Sequence, residues 1–260
     1  MDMPIAVIDS GVGGASILKA MVSVLPDENF VYLADTKNAP YGDKNKKVII
    51  KLTLDLVDFL VQKRAIKMLV VGCNTMSAVA KKEILAKFPS LPCVFVEPPI
   101  KTAIDKGKKN ILVLATKTTL KFNKTLQYYA NLSSLKGVKI HKLFIKELAQ
   151  NIDNQPHLVD ELLKRKIKNK NFDAVVLGCT HYNFIKRNLS KILPHAEIIS
   201  CEKNVALRCK NLIFTARNFS YKFHSRKTFN NVEIILTSYN SSVYSRLTSI
   251  FPGCKSAEEE

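Results

Sequence analysis

Two cysteines of this chain are placed so that they could work together as proton-transfer groups. Cys73 and Cys179 each follow a glycine at the end of an apolar run, in the segments GCNT (72–75) and GCTH (178–181), and close to half the chain separates them. One Gly-Cys pair after a strand is more often a packing feature. Two such pairs in matching local context favour a functional pair of thiols that face one cleft.

Two facing thiols suit the exchange of a proton at opposite faces of one carbon atom, which inverts a stereocentre. The intrinsic pKa of a thiol lets one sulfur remove a proton while the other returns one near neutral pH. Both cysteines are expected at helix N-termini, where the helix dipole lowers the pKa of a thiol. Asp9 could assist Cys73, and His181 could assist Cys179. A nucleophilic thiol would instead need a histidine base and a third orienting group.

The elements that position these residues follow from the alternation of short apolar runs with stretches of helical spacing. Such alternation predicts an α/β fold with mostly parallel sheets and helices on both faces. The predicted strands are 5–8, 30–34, 68–71, 93–96, 111–115, 138–143, 174–177, 197–200 and 232–236. The predicted helices are 15–25, 46–64, 76–88, 122–131, 158–168, 183–193, 205–216 and 242–250, and a frayed polar tail is predicted from residue 255.

The pattern starts again after Pro98-Pro99, which predicts two similar α/β halves related by a pseudo-two-fold axis. The strand-turn at Asp9-Ser10 has a similar partner at 116–119, where threonine hydroxyls at a helix start could cap the helix or bind a carboxylate. In parallel sheets the active site lies outside the carboxyl ends of the strands. We therefore expect a cleft between the halves that receives one thiol from each side.

Composition and charge argue against several classes of protein function. The net charge is +18, but the lysines are spread along the chain and do not interleave with aromatic residues as in nucleic-acid motifs. We therefore favour a lysine-rich surface over nucleic-acid binding, and the charge would also attract an anionic substrate. The six cysteines form no C-x-x-C pair and no zinc spacing with the five histidines, so free thiols and no metal site are expected. No apolar run could span a membrane, and the start lacks the features of a signal peptide, so a cytoplasmic protein is expected.

The chain resembles the cofactor-independent glutamate racemases of the aspartate/glutamate racemase superfamily. His181, after Cys-Thr, matches the glutamate racemases, whereas aspartate racemases usually have an acidic residue there. The motifs that carry the resemblance run in order over nearly the whole chain: DSGVGG (9–14), DTKNAPYG (35–42), GCNTMSA (72–78), VEPPIK (96–101), ATKTT (115–119) and GCTHYNFI (178–185).

The resemblance implies two α/β domains with the active site between them. Residues 1–97 and 206–260 would form a discontinuous first domain, and residues 98–205 an inserted second domain. It also implies the racemisation of glutamate, which supplies D-glutamate for peptidoglycan and so for cell-wall biogenesis and cell shape. The family is usually homodimeric, and neither a metal nor a pyridoxal cofactor is expected.

The resemblance also gives each thiol its own enantiomer. Cys73 would deprotonate D-glutamate and Cys179 L-glutamate, with Asp9 and His181 as their helpers. From the matched motifs, the candidate substrate-binding residues are Ser10, Pro40, Tyr41, Gly42, Asn74, Thr75 and Thr180. Thr116 and Thr119 join them because of their position at a predicted helix start.

Three departures from the family pattern leave alternatives open. Ser200-Cys201 stands where the family usually has Asp-Ser, Phe122 replaces a usual serine, and 144–151, which includes Lys146-Glu147, differs from the usual FVPLVEEG. One alternative is a two-cysteine racemase or isomerase for another acidic substrate, such as aspartate. The other is a non-catalytic polyanion-binding protein that keeps the racemase fold.

Overall fold

Two parallel sheets form the framework of the protein. The computed structural model describes residues 3–135, 137–168, 171–217 and 232–258. Every strand pairing among these residues is parallel, and helices connect successive strands, so the predicted α/β class is confirmed.

The first sheet combines the two ends of the chain. Its six strands lie in the order β10-β9-β2-β1-β3-β4, and the innermost ones are fully buried apolar runs, as expected for a parallel sheet covered on both faces. The bounds are β1 Ile5–Asp9, β2 Phe30–Ala34, β3 Met68–Val71, β4 Cys93–Phe95, β9 Val232–Leu236 and β10 Lys255–Glu258.

The second sheet is built from the middle of the chain and has four strands in the order β6-β5-β7-β8. Strands β5 and β7 are its buried centre, whereas β6 is largely exposed at one edge. The bounds are β5 Asn110–Ala115, β6 Lys139–Leu143, β7 Ala174–Gly178 and β8 Glu197–Ile199.

Helices cover both faces of each sheet, and each face has its own apolar cluster. On the first sheet, α1 and α10 pack together over one face, and α2 and α3 over the other. The helices are α1 Ala15–Val24, α2 Lys46–Arg64, α3 Asn74–Lys87, α4 Ile100–Asp105, α5 Lys117–Phe122, α6 Lys124–Leu135, α7 Leu148–Asn154, α8 Val159–Lys166, α9 Lys186–Ile192, α10 Glu202–Arg217 and α11 Ser241–Ile250. Short 3₁₀ segments lie at Thr36–Asn38, Pro156–Leu158 and Thr180–Ile185.

Several elements differ from the sequence-based prediction. The helix expected at 183–193 is a 3₁₀ turn, Thr180–Ile185, followed by α9, and the helix expected at 122–131 is divided by Asn123, whose side chain caps α6 through Leu126 N–H. Helices α4 and α7 were not predicted. The tail predicted to be frayed forms β10 as far as Glu258, because β9 leaves a backbone edge with which a polar strand can pair; residues 259–260 lie outside the described part.

Within the described ranges, no helix combines the length and the apolar character needed to cross a membrane.

Two strands of the second sheet pack closely where Gly178 of β7 pairs with Ala115 of β5. A Cβ atom on Gly178 would lie 2.7 Å from the Cβ of Ala115 and 3.2 Å from Cγ of Pro98. We expect Gly178→Ala to lower the free energy of unfolding by about 1–3 kcal/mol, because the strands must move apart. Urea unfolding measures this loss, and Ala115→Gly added to Gly178→Ala should recover part of it. An unchanged urea midpoint in the single variant would contradict this packing.

Candidate active site

The thiol of Cys73 lies at the carboxyl end of β3, where the chain enters α3. Cys73 is the N-cap residue of that helix, and its side chain is buried with 6% exposure. Its Sγ lies 3.7 Å from Oγ of Ser10, in the turn that follows the neighbouring strand β1. The pairing of β1 with β3 therefore brings these two motifs together across 63 positions of sequence.

Cys179 occupies the corresponding place after β7 in the second sheet. It is buried with 8% exposure, and its side chain hydrogen-bonds His181 in the 3₁₀ turn that follows. The two thiols lie close enough for the charge of Cys179 to raise the pKa of Cys73. The structure thus brings the predicted pair together at the facing carboxyl ends of two sheets.

The predicted lowering of the thiol pKa at a helix start is wrong for Cys73. Burial, the largest cause, and the charge of Asp9 together raise the pKa of Cys73 to about 12, and hydrogen bonds from Met76 N–H and Ser10 only partly oppose them. The loss of hydration on burial outweighs the helix dipole here. Cys73 is therefore held in its protonated form, as a proton donor requires.

Asp9 ends β1 and is fully buried beside both thiol-bearing turns. Its carboxylate accepts hydrogen bonds from Gly11 N–H at 2.7 Å and from the Thr180 hydroxyl at 3.3 Å, so it links the two halves. Burial raises the pKa of Asp9 to about 6, against the lowering effect of His181 and of these hydrogen bonds. A carboxyl group with such a pKa can exchange protons near neutral pH.

His181 is the cationic partner of this cluster. Burial disfavours its charged form, but the carboxylate of Asp153, 3.2 Å from Nε2, and the Cys179 side chain outweigh burial and raise the pKa of His181 well above its ordinary value. The two sulfurs therefore have opposite charged neighbours: the carboxylate of Asp9 near Cys73, and the imidazolium of His181 beside Cys179.

Threonine hydroxyls also join the two halves. Oγ1 of Thr75 lies 3.0 Å from Oγ1 of Thr116, which donates to Oγ1 of Thr119 at 2.9 Å and caps α5 through Thr119 N–H. The hydroxyl of Thr118 donates to Gly42 O at 2.9 Å. The predicted residues of the first half, Thr75 and Gly42, thus meet the predicted threonines of the second.

Asn74 has the strongest structural sign of a ligand-binding role. Its side chain is 2% exposed, and neither Nδ2 nor Oδ1 has a hydrogen-bond partner among the described residues. A buried amide without partners is costly unless a bound molecule satisfies it. Asn74 directly follows Cys73, so a molecule bound to this amide would lie beside the thiol.

Comparisons with known proteins decide the family. No family model matches the chain. The chain is 36% identical over 240 residues to the glutamate racemase of Clostridium novyi, which covers 89% of this chain and 92% of that protein. It is 40% identical over 206 residues to the glutamate racemase of Clostridium kluyveri, with 76% and 79% covered. This chain belongs to the glutamate racemases.

A solved glutamate racemase from Escherichia coli, in complex with L-glutamate and the activator UDP-MurNAc-Ala, superimposes on this racemase with a TM-score of 0.81 at 25% identity. The match covers 98% of this chain and 97% of that one. Both sheets and the arrangement of their helices are therefore those of a known racemase fold.

In the loop 39–42 of this racemase, Tyr41 lies near the first thiol, because it packs in the same apolar cluster as Cys73. Tyr41 is buried, and its hydroxyl donates to Oδ2 of Asp35 at 2.5 Å, whereas Pro40 is exposed and Gly42 half-buried. Asp35 also accepts hydrogen bonds from Asn38 and Thr237. Asp35 was missed at the sequence level, although a buried acidic residue after a strand in the DTKNAPYG motif was a usable signal.

Asp153, in α7, was also missed, and no motif marked it in the sequence. Its contact with His181 arises only from the folding of the second half. No cluster of three or more side chains suited to hold a metal ion occurs in the part of the chain that the structure describes.

The raised pKa of Asp9 predicts a measurable dependence of stability on pH. Its pKa rises from 3.8 to about 6 on folding, so between these values the folded chain keeps a proton that the unfolded chain releases. Wild-type stability should therefore lose about 2 kcal/mol from this residue as the pH rises from 4 to 6, whereas Asp9→Asn cannot show this loss. Urea unfolding of both proteins across this pH range measures the difference. Parallel stability curves would show that Asp9 does not titrate in this way.

Proposed function

We propose that Cys73 and Cys179 are the opposed bases with which this glutamate racemase inverts the α-carbon of glutamate. The observation that supports this most directly is the pair of buried thiols at the carboxyl ends of facing sheets, each with its own polar helper. Neither alternative, an aspartate-like substrate or a non-catalytic polyanion binder, is favoured by the relatives that match the chain.

In the proposed L-to-D direction, the Cys179 thiolate takes the α-proton of L-glutamate. The C–H bond breaks, an S–H bond forms on Cys179, and the electron pair stays on the α-carbon. Cys73 then gives its proton to the opposite face, and its S–H bond breaks as the new C–H bond forms. Asp9 assists Cys73 and His181 assists Cys179. The reverse reaction uses the same steps in the opposite order.

The substrate is proposed to lie between the thiols, with its charged groups held by polar residues of both halves. The unpartnered amide of Asn74 supports this placement, because the substrate's carboxylate and ammonium groups would complete its hydrogen bonds. The other proposed substrate-binding residues are Ser10, Pro40, Tyr41, Gly42, Thr75, Thr116, Thr119 and Thr180.

We further propose that the two sheets belong to separate domains, formed by 1–97 with 206–260 and by 98–205. One adjustment is supported by packing: α10 begins at Glu202, and Cys201 and Val205 already belong to the core of the first sheet, so the second boundary is better placed near residue 200. The enzyme is proposed to act as a cytoplasmic homodimer that supplies D-glutamate for peptidoglycan.

Hydrogen exchange at the α-carbon tests the reaction itself. In deuterated water, the optical rotation of L-glutamate should decay to zero while deuterium enters the α-carbon of the D-glutamate that forms, since the second thiol exchanges its proton with solvent. Polarimetry and mass spectrometry measure the two quantities. Exchange with aspartate but not with glutamate would overturn the proposed substrate, and no exchange with either would overturn the reaction.

Replacement of single thiols tests the two-base scheme. Cys73→Ser and Cys179→Ser should each lower kcat by about 10²–10⁴-fold, because a serine hydroxyl is a far poorer base and acid. Cys93→Ser is the matched control: this half-buried thiol donates to Leu91 O, a bond that a hydroxyl can also make, so activity should be preserved. Wild-type activity in either active-site variant would exclude that thiol as a base.

A further inference from the structure

One carboxylate outside the matched motifs connects His181 to the C-terminal helix. Oδ2 of Asp153 lies 3.2 Å from Nε2 of His181, and its Oδ1 accepts from Nη1 of Arg246 at 2.7 Å. Both oxygens of this one side chain thus face a cationic partner. Asp153 lies just beyond 144–151, the stretch in which this chain departs from the usual pattern of its family.

Arg246 is held on three sides, so it fixes the position of Asp153. Besides the carboxylate, its guanidinium donates from Nη2 to Ile152 O at 3.0 Å and lies over the ring of Phe184, 5.2 Å from the centroid. Ile152 is in α7 and Phe184 is in the 3₁₀ turn that carries His181. Helix α11 packs on the first sheet. Through Arg246 it therefore contacts both segments of the second half that carry Asp153 and His181.

We propose that Asp153 is a positioning residue that holds His181 in its protonated form against Cys179, and that Arg246 fixes Asp153 for this task. This inference rests on the proposed two-base function. It assigns to Asp153 and Arg246 a role in only one of the two proton transfers, the one at Cys179.

The charges around His181 support this role. Asp153 faces the ring from α7, Cys179 precedes it on its own segment, and Asp9 acts on it from β1, while Arg246 on α11 partly offsets the charge of Asp153. With burial opposing the charged ring, the Asp153 carboxylate is the largest factor that raises the pKa of His181. Its removal should lower that pKa and leave Cys179 without a cationic neighbour at higher pH.

Among the described residues, Cys73 has no cationic partner like His181. Its hydrogen-bond partners there are Ser10 and the N–H of Met76, and the charges near it are those of Asp9 and Cys179. A defect at Asp153 should therefore slow the transfer at Cys179 and spare the transfer at Cys73. This asymmetry separates a positioning role from a general loss of structure, which would affect both transfers.

The first measurement is the pH profile of kcat/KM for Asp153→Asn. Two enantiomers have equal free energies, so kcat/KM should fall equally in both directions, by about tenfold or more. The alkaline limb of the profile, where His181 loses its proton, should move to lower pH by roughly one unit or more. Asp153→Glu, which keeps the carboxylate, should restore the wild-type limb.

The second measurement uses glutamate with deuterium at the α-carbon. In Asp153→Asn the isotope effect on kcat/KM should increase for L-glutamate, whose α-bond is broken by Cys179, and decrease for D-glutamate. Arg246→Met should change the isotope effects in the same directions, and Arg246→Lys, which can still hold Oδ1, should change them less. Asp160→Asn is the control, since this carboxylate of the same half binds Asn188 away from the site.

These measurements distinguish a failure of the proposed racemase function from a failure of the proposed role of Asp153. If the wild-type enzyme does not exchange the α-hydrogen of glutamate, the proposed function fails before the role of Asp153 is reached. If the wild type is active and Asp153→Asn shows an unchanged alkaline limb and unchanged isotope effects, Asp153 has a structural role only and this inference is overturned. Thermal unfolding of each variant confirms that the comparison is made between folded proteins.

Discussion

The whole site depends on the close approach of two turns, one from each sheet. A Cβ atom on Gly13 would lie 2.6 Å from Oγ1 of Thr180 and 2.7–2.8 Å from atoms of His181, so only glycine permits this contact. Through this contact, the turn that contains Cys179 packs against the turn that follows Asp9. Without it, the hydrogen bond between Thr180 and Asp9 and the opposition of the two thiols would both be lost.

A second constraint is the balance of charge in a buried site. Burial alone would favour the neutral forms of the Asp9 carboxyl group and the His181 imidazole. Their proximity stabilises the charged form of each group. The charges are unevenly placed: Asp9 disfavours the thiolate of Cys73, whereas the cationic His181 lies beside Cys179. The two halves thus present their thiols to charges of opposite sign.

The sequence predicted those parts of the molecule that depend on local signals. Buried strands are continuous apolar runs, and Gly-Cys turns mark their ends, so the sheets and both thiols were found. Helix α7 and strand β10 were missed because they are stabilised by packing and by a sheet edge that only the folded chain supplies. The pKa shift of Cys73 was predicted in the wrong direction, because the burial that raises this pKa arises only when the chain folds. Likewise, Asp153 and Arg246, 93 positions apart, meet only in three dimensions.

The depth at which the two thiols lie has a consequence for their vulnerability. Electrophiles and peroxides react with thiolates that they can reach, and in this conformation Cys73 and Cys179 are 6% and 8% exposed. Any molecule that reaches these sulfurs, the substrate included, must pass the turns that bury them. Oxidative damage is thereby coupled to the opening that admits glutamate, so an enzyme filled with substrate would resist inactivation better than an idle one.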